Sequence, residues 1–193
     1  ITMSNDVIKN YGLALQAKYI DIWNMSNLKS KEIIWSVDYS TVLTFNDLAT
    51  TTFPNGHSRG SNNGHLMFLM VYDQVNTAIL ARDLNNGRPF NRYMPTLAFL
   101  NLFDDTNDSR YSGSFQTVWY ANDPNTPSTY PKWPTPLPAG APPGAVAGQL
   151  KFGFGDTSIY MPGTDRTTAQ IAASRPTVIP PRLYSSAMGP YMM

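Results

Sequence analysis

No cysteine occurs in the 193 residues, which excludes a disulfide framework and any thiolate-based zinc site within them. Stability must come from packing. Glutamate is almost missing too, since twelve of the thirteen acids are Asp and Glu32 stands alone. Glu favours helix surfaces whereas Asp and Asn favour caps and turns, so loops are expected to carry much of the polar surface. Histidine occurs twice, at His57 and His65, eight residues apart with no Cys or close Asp beside either, a weak basis for a metal site or a triad. Charge of one sign is equally scarce: 14 Lys+Arg against 13 Asp+Glu leave +1, and no basic run offers a footprint for nucleic acid or anionic lipid. There is no run of about 18 apolar residues to span a membrane. The chain opens on Ile1 and closes on Tyr191, Met192 and Met193, and both ends read as cut from a longer protein.

What is present is a globular composition, 42% hydrophobic and 14% charged. Val7, Ile8, Tyr11, Leu15, Tyr19, Ile22 and Trp23 recur at spacings of three and four behind Ser4 or Asn5 as cap, which predicts one amphipathic helix ending near residues 24–27. Residues 32–39, β-branched and aromatic, predict a strand. Residues 41–64 predict a long loop, residues 66–72 a strand, Pro95 the first position of a short helix, and residues 114–121 another strand. Eight of the sixteen prolines fall between Pro124 and Pro143, a composition that predicts a long loop. No internal repeat of fixed period is visible.

Within residues 81–96 the sequence reads Arg82, Asp83, Gly87, Arg88, Pro89, Arg92, Pro95, Thr96, in the order RD-x-x-x-GRP-x-x-R-x-x-PT. Leu102 and Phe103 follow, then Asp108, Ser109, Arg110 and Tyr111, then residues 114–119 as SFQTVW. These two ordered motifs resemble the SusD/RagB family of outer-membrane nutrient-binding lipoproteins. The resemblance implies a mainly α parent, a tetratricopeptide-like α-α superhelix, of which this piece would supply one or two helices, short strands and long ordered loops. Residues 1–193 would then form a partial SusD-like domain: 1–40 helix and strand of the scaffold, 41–123 the signature core, 124–148 the Pro-rich loop, 149–193 a loop-rich tail. It further implies a lipid-anchored receptor on the cell surface, in the outer membrane, that does no chemistry on its ligand, needs no cofactor or metal, and delivers oligosaccharide to a SusC-like TonB-dependent importer. A peptide ligand, as in RagB-type receptors, is the alternative, and a glycoside hydrolase a remoter one.

The signature residues Arg82, Asp83, Gly87, Arg88, Pro89, Arg92, Pro95, Asp108 and Arg110 have a plain structural reading. Gly87 can turn the chain, the prolines can fix junctions, and Arg88, Arg92 and Arg110 can pair with Asp83, Asp104, Asp105 or Asp108 to fasten loops. A glycan receptor needs aromatic faces flanked by hydroxyl-bonding groups. Tyr39, Phe53, His57, Arg59, Asn62, Asn63 and His65 form one candidate set, and Tyr130 with Trp133 in the Pro-rich loop a second. The same aromatics could instead anchor long loops to the body. Asp104, Asp105 and Asp108 cluster where a turn already calls for Asp, and they match neither a calcium loop nor a catalytic pair. Pro131 and Pro134 fit P-x-x-P, which leaves polyproline docking as a further reading.

Overall fold

The computed structural model describes residues 2–36, 64–75, 79–125, 129–185 and 191–192. They divide into two units, 1–63 and 64–193.

In the first unit the helix Thr2–Asn10 is shorter than its apolar spacing predicts. It ends because Gly12 takes the left-handed conformation, φ +69°, after Tyr11 N–H closes the last turn on the Val7 carbonyl at 3.2 Å. Beyond it the backbone makes two 3₁₀ turns, Tyr19–Ile22 and Met25–Asn27, the second capped by the Asn24 side chain. The lone Glu has a structural task. Its Oε2 accepts from Gln16 N–H at 2.6 Å, while Gln16 Nε2 donates to Ser30 Oγ at 2.7 Å, and these bonds tie residues 14–16 to 30–32. Side-chain bonding there takes the place of a ladder, and residues 32–36 form no strand. Residues 37–39 of that expected strand, and the expected loop 41–63, lie outside the described residues.

The second unit corrects the mainly α expectation. Its helices are Gly64–Phe68, Leu97–Leu100, Ser109–Ser114 and Thr168–Ala173, each no longer than two turns, and no tetratricopeptide-like helix pair occurs among the described residues. Helices of one or two turns present too narrow an apolar face to build a helical core by themselves. The core is organised instead by a three-stranded sheet, β2 (Val118–Tyr120), β3 (Thr157–Tyr160) and β4 (Thr177–Val178), with β2 and β3 antiparallel and β3 and β4 parallel. A second pair joins β1 (Phe115–Gln116) to β5 (Tyr191–Met192). The expected strand 114–121 is thus broken at Thr117, and its two halves pair with different partners.

Residues 66–72, expected as a strand, begin in the helix Gly64–Phe68 and pass through an irregular stretch, with Tyr72 N–H bonded to Met70 O at 2.8 Å, into the 3₁₀ turn Tyr72–Gln74. Leu69, Met70 and Tyr72 pack with Leu80, Trp119, Ile159, Met161 and Ile179, with Leu66 and Phe68 half-buried against them, and a short continuous apolar run has no amphipathic period to declare its type. Residues 90–93 close the end of this helix. Phe90 N–H donates to Leu66 O at 3.0 Å, Asn91 N–H to Leu69 O at 3.1 Å, and Arg92 and Tyr93 N–H both to Met67 O, which satisfies carbonyls the helix leaves open. Gly87 makes this docking possible. Its φ is +67°, and a Cβ there would lie 3.3 Å from both Leu66 Cδ2 and Leu69 Cδ1.

An aromatic group forms the second core. Thr96 caps the helix Leu97–Leu100 and Asp108 caps Ser109–Ser114, so Pro95 precedes the cap instead of opening the helix. Phe103 meets Phe99 and Phe115 edge to face with ring centroids 5.4 and 5.3 Å apart, and Tyr111 lies 5.2 Å from Phe115. The chain returns beside this group at Gly163, where an added Cβ would meet Asp105 Oδ2 at 2.5 Å, Cβ at 2.8 Å and Cγ at 2.9 Å. The backbone at Gly163 is not left-handed, so space alone demands glycine there. Gly163→Ala should therefore lower stability by about 1–3 kcal/mol, and Asp105→Gly in the same chain should recover most of that loss because it removes the clashing atoms. Urea unfolding of the two single variants and the double variant measures the coupling; strictly additive losses would show that the two residues do not share this space.

Candidate functional site

A cleft of about 740 Å³ in the second unit opens where the Pro-rich loop returns to the sheet. Val118 of β2 and Thr157 and Tyr160 of β3 line one side; Leu150, Lys151, Phe152, Gly153 and Asp156 line another, and Arg175 and Pro176 a third. A smaller hollow of about 240 Å³ adjoins it, sharing Lys151, Arg175 and Pro176.

The sheet wall depends on a bulge. Val118 pairs with Tyr160 and Trp119 with Ile159, but Tyr120 pairs with Thr157, so one step of β2 is matched by two of β3 and Ser158 is the extra residue. Both Ser158 and Ile159 are fully buried, and Thr157 and Tyr160, three positions apart, both reach the cleft.

The loop wall is built from turns. Ala141, Ala145 and Gln149 N–H each bond the carbonyl three residues back, from Pro138, Pro142 and Val146, at 3.1 Å. Gly140, Gly144 and Gly148 occupy the third position of these turns with φ of +81°, +79° and +77°, which makes three type II turns in tandem at a period of four residues. A repeat is therefore present in residues 138–149 after all. The loop closes at its neck through Trp133 N–H to Gln149 O at 2.8 Å, Gly148 N–H to Trp133 O at 2.9 Å and Lys151 N–H to Pro131 O at 2.7 Å, with Lys132 bridged to Leu150. Pro131–Lys132–Trp133 is committed to that ladder, which removes the free polyproline segment that docking would require.

Tyr130 and Trp133, expected as possible platforms, are 4% and 2% exposed. Tyr130 packs edge to face on Phe152 and its hydroxyl donates to Asp123 O at 3.0 Å; burial, with the nearby charge of Asp123, raises its pKa. Trp133 turns one face to the Lys151 ammonium, 4.8 Å from the ring centroid. Both rings anchor the loop neck. Of the other expected ligand contacts, Tyr39, Phe53, His57, Arg59, Asn62 and Asn63 lie outside the described residues, as does the side chain of His65, whose backbone belongs to the helix Gly64–Phe68.

The signature residues sit away from the cleft. Arg82 pairs with Asp73, and Arg110 with Asp108 at 2.6 Å while lying 5.9 Å over the Phe103 ring. Asp83 takes Asn86 N–H and the Asn122 amide, both at 2.7 Å; burial alone would raise its pKa, but these bonds outweigh it and hold the carboxyl below the usual range. Arg88 lies 5.6 Å over Phe90, Pro89 and Pro95 are buried, and the Arg92 amide closes the helix end described above. Of the Arg–Asp pairs anticipated from sequence, Arg110–Asp108 forms among the described residues.

Sequence reasoning missed Lys151, Asp156, Thr157, Tyr160 and Arg175. Glycine at every fourth position from 140 to 148 was the available signal, because three stacked turns return the chain on itself and bring residue 151 back to residue 131. Arg175 is held by two backbone carbonyls, Lys151 O at 3.4 Å and Pro143 O at 3.3 Å. Asp156 Oδ2 accepts from Gly153 N–H at 2.9 Å. Hydroxyl, carboxylate and cationic groups thus converge on one opening with apolar side chains between them, an arrangement suited to a ligand with both hydroxyls and C–H faces. No group of acids and histidines able to hold a metal occurs among the described residues, nor does a helix long and apolar enough to cross a membrane. Compared with known proteins, the chain matches no family model, no curated protein and no solved structure.

Burial pushes the Lys151 pKa down. At neutral pH the folded protein carries that ammonium at a cost, and between the lowered native pKa and the unfolded value of about 10.4 the native amine is already neutral while the unfolded one is charged. The stability of the natural protein relative to Lys151→Met should therefore rise as pH rises through this window. Urea unfolding of both proteins at neutral and alkaline pH measures the difference, and a difference independent of pH would place the amine in open solvent.

Proposed function

We propose that this chain is part of a SusD/RagB-type nutrient receptor that captures an oligosaccharide at the cell surface and passes it to a SusC-like TonB-dependent importer. The two ordered motifs in residues 81–119 support the family reading. The observation that carries the binding reading is the cleft beside β3, where Tyr160, Thr157, Asp156, Arg175 and Lys151 can bond hydroxyls while Val118, Leu150 and Pro176 meet the C–H faces of a sugar ring. An outer-membrane location through a lipid anchor belongs to the same proposal and rests on the resemblance alone. Capture without turnover needs only such groups held in place, and the bulge and the turn-stacked loop hold them.

Calorimetric titration against a panel of neutral and acidic oligosaccharides and peptides, with chromatography of the recovered ligand, tests this reading. Micromolar to millimolar binding, about −8 to −4 kcal/mol, is expected for at least one saccharide, which should be recovered unchanged. Tyr160→Ala should cost more than about 1 kcal/mol of that affinity. Hydrolysis of the ligand that disappears in Asp156→Asn, or failure of every saccharide to bind, would overturn the proposal.

A further inference from the structure

We infer that the ligand of this cleft is an acidic oligosaccharide, whose carboxylate or sulfate oxyanion is held between Lys151 and Arg175. This rests on the receptor reading above and narrows it to a substrate class. Both cations line the same opening, and among the described residues neither forms an ion pair. Their immediate partners are neutral. Arg175 spends two donors on the Lys151 and Pro143 carbonyls, which fix the guanidinium and leave its remaining N–H groups to the cleft it lines. Lys151 has the Trp133 ring on one side, at 4.8 Å, and the cleft on the other.

The charge balance decides between neutral and acidic ligands. Among the described residues Asp156 is the single carboxylate lining the cleft, and with one oxygen taken by Gly153 N–H it makes no ion pair with either cation, so the described lining carries an excess positive charge. A half-buried ammonium without a counter-charge is costly, as the depressed pKa of Lys151 indicates. A neutral sugar would bury both cations further and supply only dipoles in return. An oxyanion supplies the missing charge, since a guanidinium offers it paired N–H donors and an ammonium a point charge beside them. The adjoining hollow, which also touches Lys151 and Arg175, gives room for a second residue of the same chain of sugars.

The test titrates the full chain with trigalacturonate, its methyl ester, a sulfated galactose trisaccharide, the neutral galactose trisaccharide and triglutamate at one fixed ionic strength. One acidic saccharide should bind at least about tenfold tighter than its uncharged counterpart. That ratio should fall towards one in Lys151→Met and in Arg175→Gln, and Arg175→Lys should keep part of it. Which acidic arm binds separates carboxylate from sulfate. Unfolding midpoints verify that each variant is folded, and if Lys151→Met is not, Arg175→Gln decides. Equal binding of acidic and neutral saccharides would overturn this inference and leave the receptor reading standing. No binding by any saccharide would remove both, and binding of triglutamate alone, lost with Lys151, would replace the saccharide by an acidic peptide.

Discussion

The bulge between β2 and β3 is the constraint from which the rest of the second unit follows. In regular pairing, alternate side chains point to opposite faces, so consecutive residues of β3 could not both enter the core. Because two residues of β3 match one step of β2, Ser158 and Ile159 both turn inward beneath Trp119, and Thr157 and Tyr160 both turn outward. One irregularity therefore closes the core around Trp119, Ile159 and Met161 and at the same time builds a wall of the cleft. Without the extra residue, the sheet could satisfy one of these demands and would lose the other.

The opposite wall obeys a different rule, because residues 138–149 contain too much proline and glycine to join a sheet or a helix. Three successive type II turns give this stretch a defined path with few side chains to pack, and prolines reduce the freedom it loses on folding. Its neck is fixed by main-chain bonds between residues 131–133 and 148–151 and by the burial of Tyr130 and Trp133. Rigid turns held by buried rings are a sound support for charged groups, since Lys151 and Arg175 need little further ordering when a ligand arrives.

Much of the local structure could be read from residue order. The Asp-rich residues 104–108 form a turn whose last member, Asp108, caps a helix, and Gly87 takes the conformation that a chain reversal needs. Periodicity misled where the environment was uniform or interrupted. The spacing of Val7, Tyr11, Leu15 and Tyr19 suggested a long helix, but one left-handed glycine ended it at Asn10. The run from Leu66 to Tyr72 is apolar almost throughout, so neither a period of two nor one of 3.6 shows in it.

The sequence by itself determined turns such as residues 104–108 and Gly87, the lack of any disulfide or thiolate site, and the near-neutral charge, because each depends on the chemistry of a residue and its immediate neighbours. Tertiary structure alone decided which aromatic rings would be anchors and which cations would share a cleft. Tyr130 and Trp133 look like a binding pair in the sequence, yet closure of the loop neck buries them. Lys151 and Arg175, 24 positions apart, look unrelated until Arg175 bonds the Lys151 carbonyl and both come to line one opening. The physical reason is that burial and electrostatic partnership are properties of space, set by the bulge and the loop closure, and no local pattern of residues encodes the distance between segments that meet only when the chain folds.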